Sequence, residues 1–229
     1  LFDMSDVQEE DLPYVGILQS ALGVIDTKKH GYGELFNEIN MHTGGIATSL
    51  ELYNDVTKVK EKEFKATFEI KTKALYDKLP FAFDMMGEIL TESCLDDTKR
   101  MKEILAMLKS RLLMKFQSSG HTTAALRALS YASPSAKLKD MTNGVDFFRK
   151  VDWLDTHFEE EKEHLSEKLK ELSVKLFRAD RMMLSYTAAG EGLKGFEKMV
   201  QSLKDRLYTE PVEETPCIIH CEKKNEGFR

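Results

Sequence analysis

Apolar positions recur three and four apart over residues 12–23, where Tyr14, Ile17, Leu18, Ala21 and Leu22 line one face of an expected helix. Asp11 suits its N-cap, Pro13 its first turn, and Gly23 its end. A second helix is expected over 32–41, with Leu35, Phe36 and Ile39 on one face. Thr43-Gly44-Gly45 then breaks the chain, and Gly44 and Gly45 are the expected sharp turn because glycine tolerates positive φ. The period next changes to two. Ile46, Thr48, Leu50 and Leu52 alternate with their neighbours, as do Phe64, Ala66, Phe68 and Ile70. This predicts two antiparallel strands with one buried face, joined through a turn at Asn54-Asp55 and a charged run over 58–62.

From 79 to 143 the pattern is helical again. A short apolar helix is expected over 81–91. A longer one, capped by Asp97 or Thr98, carries the stripe Met101, Ile104, Leu105, Leu108, Leu112 and Phe116. Gly120 separates it from a small-residue helix over 121–132, which Pro134 follows. Helices over 145–154 and 155–177 come next, the second with Phe158, Leu165, Leu169, Leu172 and Leu176 on one stripe. Residues 181–187 read as a strand and 195–208 as the last helix. The order predicts an α+β fold: a small, mainly antiparallel sheet packed against helices, and helix-rich. Residues 1–209 form the expected domain, and the Pro- and Glu-rich 210–229 a linker to a domain beyond it.

Composition narrows the function classes. The chain has 229 residues with 41 % hydrophobic and 31 % charged positions and a formal net charge of −6. Such a balance is that of a globular protein and argues against nucleic acid or an anionic membrane as partner. No apolar run approaches the ~18 residues of a membrane span, and the first residues do not read as a signal peptide. A chain opening on Leu1 is expected to be a piece of something longer. Three cysteines, Cys94, Cys217 and Cys221, do not make a disulfide framework. A reducing, cytoplasmic compartment is expected, or an organellar matrix in a eukaryote.

The candidate chemistry is sparse. His157, Glu161 and His164 share a helix face at i, i+4 and i+7, and two imidazoles with a carboxylate are a zinc-competent set. The plain alternative is a solvated face of a Glu/Lys-rich helix. The zinc-peptidase signature His-x-x-Glu-His is missed twice, by Glu161 after His157 and by Lys168 after His164. Cys217-Ile218-Ile219-His220-Cys221 offers three soft ligands without an obvious fourth. Residues 190–195 fit G-x-G-x-x-G, but no second parallel strand with its acidic end follows, so a strand-to-helix turn is the simpler reading. Arg127 and Tyr131, one helical turn apart, suit either a grip on a peptide carbonyl or carboxylate, or a structural role in a buried helix.

Several of these segments together resemble a known family. Asp11-Leu12-Pro13-Tyr14-Val15 precedes Tyr32-Gly33-Glu34-Leu35-Phe36-Asn37-Glu38-Ile39-Asn40-Met41-His42-Thr43-Gly44-Gly45-Ile46. That block resembles the opening of the third domain of presequence-protease-like zinc peptidases, the pitrilysin/insulinase family. The segment from His121 through Arg127 and Tyr131 to Pro134, Asn143-Gly144-Val145 and the long charged helix after them are similar too. The likeness covers essentially the whole chain. It implies a metalloendopeptidase of about four homologous domains, paired into two halves that close around a peptide. The zinc and its His-x-x-Glu-His motif then lie in the first domain, and an Arg/Tyr pair of the last domain helps to bind substrate. This chain matches neither, so the resemblance implies no catalytic and no metal residue here, and no cofactor in this segment. It also places the chain's start within the third domain's first strands, and its tail, residues 224–228, at the lead into the fourth. The partners it implies are the remaining domains of the same polypeptide and a peptide substrate, drawn weakly by the acidic surface if it is basic. An inactive binding or scaffold subunit of the same fold is the alternative, and an independent metal enzyme built on His157, Glu161 and His164 a third reading.

Overall fold

The computed structural model describes residues 1–54, 57, 64–212, 215–222 and 226. Three strands, β1 (Phe2–Asp3), β2 (Ile46–Asn54) and β3 (Phe64–Thr72), form an antiparallel sheet in the order β1-β3-β2. The register pairs Leu50 with Phe68 and Thr48 with Ile70, so the two alternating apolar sets lie side by side on one face, as the period of two requires. The expected turn at Asn54-Asp55 and the charged run 58–62 lie outside the described residues, apart from Asn54, which ends β2.

Nine helices are found among the described residues: α1 (Leu12–Ala21), α2 (Tyr32–His42), α3 (Leu79–Thr91), α4 (Thr98–Ser118), α5 (Gly120–Ser130), α6 (Pro134–Asn143), α7 (Val145–Thr156), α8 (Phe158–Leu176) and α9 (Phe196–Lys204). Leu12 to Leu18 of α1 are all buried, which marks α1 as a core helix covered on every side. Packed on it are α4, α6, α7, α8 and β2. Gly16 makes this possible: a Cβ there would sit 2.7 Å from the Phe147 ring and 2.8 Å from the Thr142 carbonyl. The stripes of α4 and α8 are buried as their spacing predicts. Asp97 caps α4 by accepting from the Arg100 N–H at 2.9 Å, and Pro134 opens α6 in the first turn, where its missing N–H costs nothing.

Phe68 ties sheet to helices. Its ring lies edge-on to Phe177, just past the end of α8, with centroids 5.1 Å apart. Phe2, the cross-strand partner of Phe68 on β1, meets the same Phe177 ring at 5.4 Å.

Two expectations are corrected. Residues 181–187 form no strand: a 3₁₀ turn, Ala179–Arg181, is followed by extended backbone that pairs only at Phe2↔Met182 and through the Leu1–Met183 hydrogen bonds. An extended segment becomes a strand only with a ladder partner, and β1 supplies two residues. The last helix is also shorter than 195–208. It runs Phe196–Lys204, because Gly195 at φ +75° starts it and the chain turns from Asp205 onward.

The Gly44-Gly45 turn joins α2 to β2. Gly45 has φ +96°, and the Gly44 N–H donates to the Lys73 carbonyl at 2.7 Å, just beyond the end of β3. Gly45→Ala is expected to lower stability by about 1–2 kcal/mol, the cost of a left-handed non-glycine residue. Gly33→Ala in α2, where a Cβ meets nothing within 4 Å, is expected to be neutral or slightly stabilising. Urea unfolding of the two variants separates them.

Candidate functional site

The most heavily built polar site lies where α5, α6, α7 and the tail meet. The small-residue helix α5 carries Arg127 on its inner face, 9 % exposed. Its guanidinium donates from Nη1 to Asp140 Oδ2 of α6 at 2.5 Å and lies 2.9 Å from Asp146 Oδ1 of α7. Nε and Nη2 form a fork onto Glu226, at 2.9 and 2.5 Å. Such planar bidentate pairing is the geometry for which arginine is suited and lysine is not. Asp140 is fully buried and also accepts from the Val145 N–H at 2.9 Å, so it holds the α6–α7 corner as well. Lys137 reaches Asp146 at 2.6 Å, and Arg149 lies 3.3 Å from both Asp146 and Glu226.

Tyr131, one turn beyond Arg127, sets its ring 5.2 Å from the guanidinium carbon. Burial and the Glu226 carboxylate push its phenol above the ordinary range. Arg127 and Tyr131 together hold Glu226 well below the usual carboxylate range, and Glu226, followed by Asp146 and Asp140, raises Arg127 further. The residues that sequence reading singled out are thus together, and the group in their grip is a carboxylate. What the sequence reading missed is the ring of acids. Asp140, Asp146 and Glu226 carry no spacing signal, since they converge only once α6 folds back on α5.

The other candidates do not assemble. His157 sits between α7 and α8, stacked on Trp153 at 5.0 Å, with Nδ1 2.9 Å from the Trp153 carbonyl oxygen. His164 lies 3.4 Å from Glu161 and edge-on to Tyr14. Among the described residues no three His, Cys, Asp or Glu side chains converge as a metal site. The set His157, Glu161 and His164 therefore does not fit a zinc ion, and neither does Cys217-Ile218-Ile219-His220-Cys221. That segment lies along the residues before α1: the Cys217 N–H donates to the Ser5 carbonyl at 2.8 Å and the His220 N–H to Glu9 at 2.9 Å. The three cysteines are free, and burial pushes the Cys94 and Cys217 thiols up, away from the reactive thiolate. The G-x-G-x-x-G run forms a 3₁₀ turn, Gly190–Leu193, with no strand before it, so the expected strand-to-helix context is corrected to a turn held by the Tyr186 hydroxyl on the Gly192 carbonyl.

A second buried ionic site, unmarked in the sequence, pins α3 to the loop after α1. Glu88, fully buried, accepts from the Thr27 hydroxyl at 2.5 Å and lies 2.7 Å from His30 Nδ1. The hydrogen bond to Glu88 raises His30 above its ordinary pKa. A group raised on folding contributes fully below its unfolded value, ~6.5 for histidine, and the contribution disappears as pH climbs through the folded value. The stability difference between the wild type and His30→Ala is therefore expected to shrink as pH rises from about 6 toward alkaline values. Urea midpoints across that range check it, and a constant difference would contradict it.

A helix-rich α+β domain whose polar groups are tied up in structural ion pairs, with no metal cluster among its described residues, is the kind of module that supports a site rather than containing one. Residues 1–154 match the family described as associated with peptidases of metallopeptidase family 16, branch C, and the chain belongs to that family. Over 228 residues it is 30 % identical to protein HypA of Clostridium perfringens, covering 99 % of this chain and 23 % of HypA. It is 26 % identical to the mitochondrial presequence protease of Drosophila melanogaster, over 89 % of this chain and 20 % of that protein. It is 24 % identical to presequence protease 1, chloroplastic/mitochondrial, of Arabidopsis thaliana, over 92 % of this chain and 19 % of that protein. The chain thus spans about a fifth of the length of these relatives. No described helix is long and apolar enough to cross a membrane.

Proposed function

We propose that this chain is a noncatalytic module, in the C-terminal half of a longer zinc-dependent metalloendopeptidase that degrades peptides inside a closed two-half chamber. The observation that carries the reading is the near-complete match of this chain to about a fifth of a much longer relative, within a family named for its association with a peptidase. In this reading its partners are the remaining domains of the same polypeptide, which bring the zinc and the water it activates, and a peptide substrate. The Arg127 site serves the wall. It locks α5, α6 and α7 to one another and to the tail, so that the surface turned to the rest of the enzyme keeps its shape. A reducing compartment, cytoplasmic or organellar, suits the three free cysteines and the organelle names of two relatives.

A quenched-fluorescence peptide tests this. The full-length protein is expected to cleave it and to lose the activity to chelator, while residues 1–229 alone leave it intact with or without added zinc. Chelator-sensitive cleavage by the isolated chain would overturn the proposal, and so would a full-length protein that cleaves nothing.

A further inference from the structure

A cleft of about 440 Å³ opens beside the sheet, between the edge of β3 at Glu69–Thr72 and the extended residues 182–187. Its two walls are strand edges. β1 pairs with β3 only at Phe2↔Phe68 and Asp3↔Thr67, so beyond Phe68 that edge of β3 has no described strand alongside. On the other wall, Met183 and Leu1 exchange both backbone hydrogen bonds, at 2.8 and 2.9 Å, and the run stops there. Phe2 is antiparallel to both walls, to Phe68 on one side and Met182 on the other. The direction of β1 therefore aims whatever precedes Leu1 straight into the cleft.

We propose that the residues leading into Leu1 in the longer polypeptide continue β1 through this cleft and make it the strand that joins β3 to 182–187. The inference rests on the reading above only in taking Leu1 to have polypeptide before it.

The register is fixed by the pairs already present. The Met4 N–H donates to the Ala66 carbonyl at 3.1 Å, so the even-numbered residues of β3 turn their backbone groups toward β1. Continuing the alternation, the first residue before Leu1 bonds Ile70, the second Ser185, the third Thr72 and the fourth Thr187. Every residue of the added strand thus uses its N–H and C=O on one wall or the other, which satisfies two edges that are otherwise open. The side chains follow as well. Phe2 faces the core, so the first and third residues before Leu1 share its face. There they meet Ile70 and Leu184, above Phe83, Met86 and Leu203, a separate buried cluster at the cleft floor. Both are expected to be apolar, and the second, turned toward the solvent face, polar. The Leu1 amine agrees with this. It sits half-buried against the Met183 carbonyl, and burial lowers its pKa below the ordinary value, a poor place for a charge and a natural one for a peptide N–H.

The test is amide hydrogen exchange on two proteins, this chain and the same chain extended by its own preceding residues, about six of them, enough to cross the cleft at ~3.3 Å per residue. The extension is expected to slow the Ile70, Thr72 and Ser185 amides by at least about tenfold, the mark of edge amides that gain ladder partners. Proline in place of the residue preceding Leu1 is expected to return Ile70 to its fast rate, because it has no N–H to donate. The Phe68 amide, paired in both proteins, reports that the fold is intact. Equal exchange at Ile70, Thr72 and Ser185 in both proteins would overturn the proposal, as would protection by an added substrate peptide but not by the extension. These results do not depend on catalysis, so failure here is distinct from failure of the peptidase reading, which the cleavage assay reports.

Discussion

Arg127→Ala is expected to lower the stability of the domain by about 3–5 kcal/mol, the cost of breaking a buried ion pair on one side only. The reason lies with the partner left behind. Asp140 is fully buried, and its Oδ2 loses the Nη1 donor while its Oδ1 keeps only the Val145 N–H. A carboxylate in that position is either uncompensated or must take up a proton. Asp146 and Glu226 lose a donor too, but Lys137 and Arg149 remain beside them. Arg127→Lys keeps the charge and loses the fork, so a smaller loss of roughly 1–3 kcal/mol is expected. Tyr131→Phe leaves every Arg127 bond in place and should shift stability by under ~1 kcal/mol. Arg127 and Asp140 share one interaction, so their double variant should lose clearly less than the sum of the singles. Urea unfolding followed by circular dichroism measures all four. Near-wild-type stability of Arg127→Ala would remove the structural role assigned to this site. Acid adds a signature. Glu226 is depressed on folding, so its contribution is complete above its unfolded value, ~4.3, and fades as pH falls below that. The stability lost in Glu226→Gln should therefore vanish at low pH, where wild type and variant both present an uncharged group at this position.

Phe68→Ala is the second large effect, with an expected loss of about 3–5 kcal/mol. Phe68 is fully buried and is central in the sheet, since β3 lies between β1 and β2. Its ring is edge-on to Phe177 at the end of α8, and Phe2, its cross-strand partner, is edge-on to the same ring. Removing it deletes burial and aromatic contacts at the joint of the sheet and helix layers, and the two-residue β1 has little else to hold it. Phe68→Leu keeps most of the volume and should cost far less. Thermal unfolding of the two variants, with amide exchange at Met4 as a reporter on β1, distinguishes a local loss of β1 from a weakened core.

The helices and the β2–β3 pair were legible in the sequence because each depends on a local period. The stripe from Met101 to Leu112 and the alternation from Ala66 to Ile70 each recur without reference to the rest of the chain, and both turn inward as read. What depended on distant chain was not legible. Residues 182–187 are extended, yet the ladder partner of Met183 is 182 positions away and stops at Leu1. The pair Arg127 and Tyr131 could be named from its i, i+4 spacing, but the acids around it could not, because Asp140 reaches Arg127 by a helical hairpin and Glu226 by a tail 99 positions on. Glu88 and His30 are hidden for the same reason. A glutamate amid Met86, Gly87 and Ile89 reads as a helix-surface residue until Thr27 and His30 are seen to meet it.

Metal content measures the central claim most directly: the reactive ion belongs to polypeptide outside residues 1–229. Elemental analysis is made on the full-length protein and on this chain, both purified without chelator and then mixed with zinc and desalted. About one zinc per molecule is predicted for the full-length protein and a clearly substoichiometric amount for this chain. Retention of one tightly held zinc by residues 1–229 alone, lost on changing His157 or His164, would contradict it.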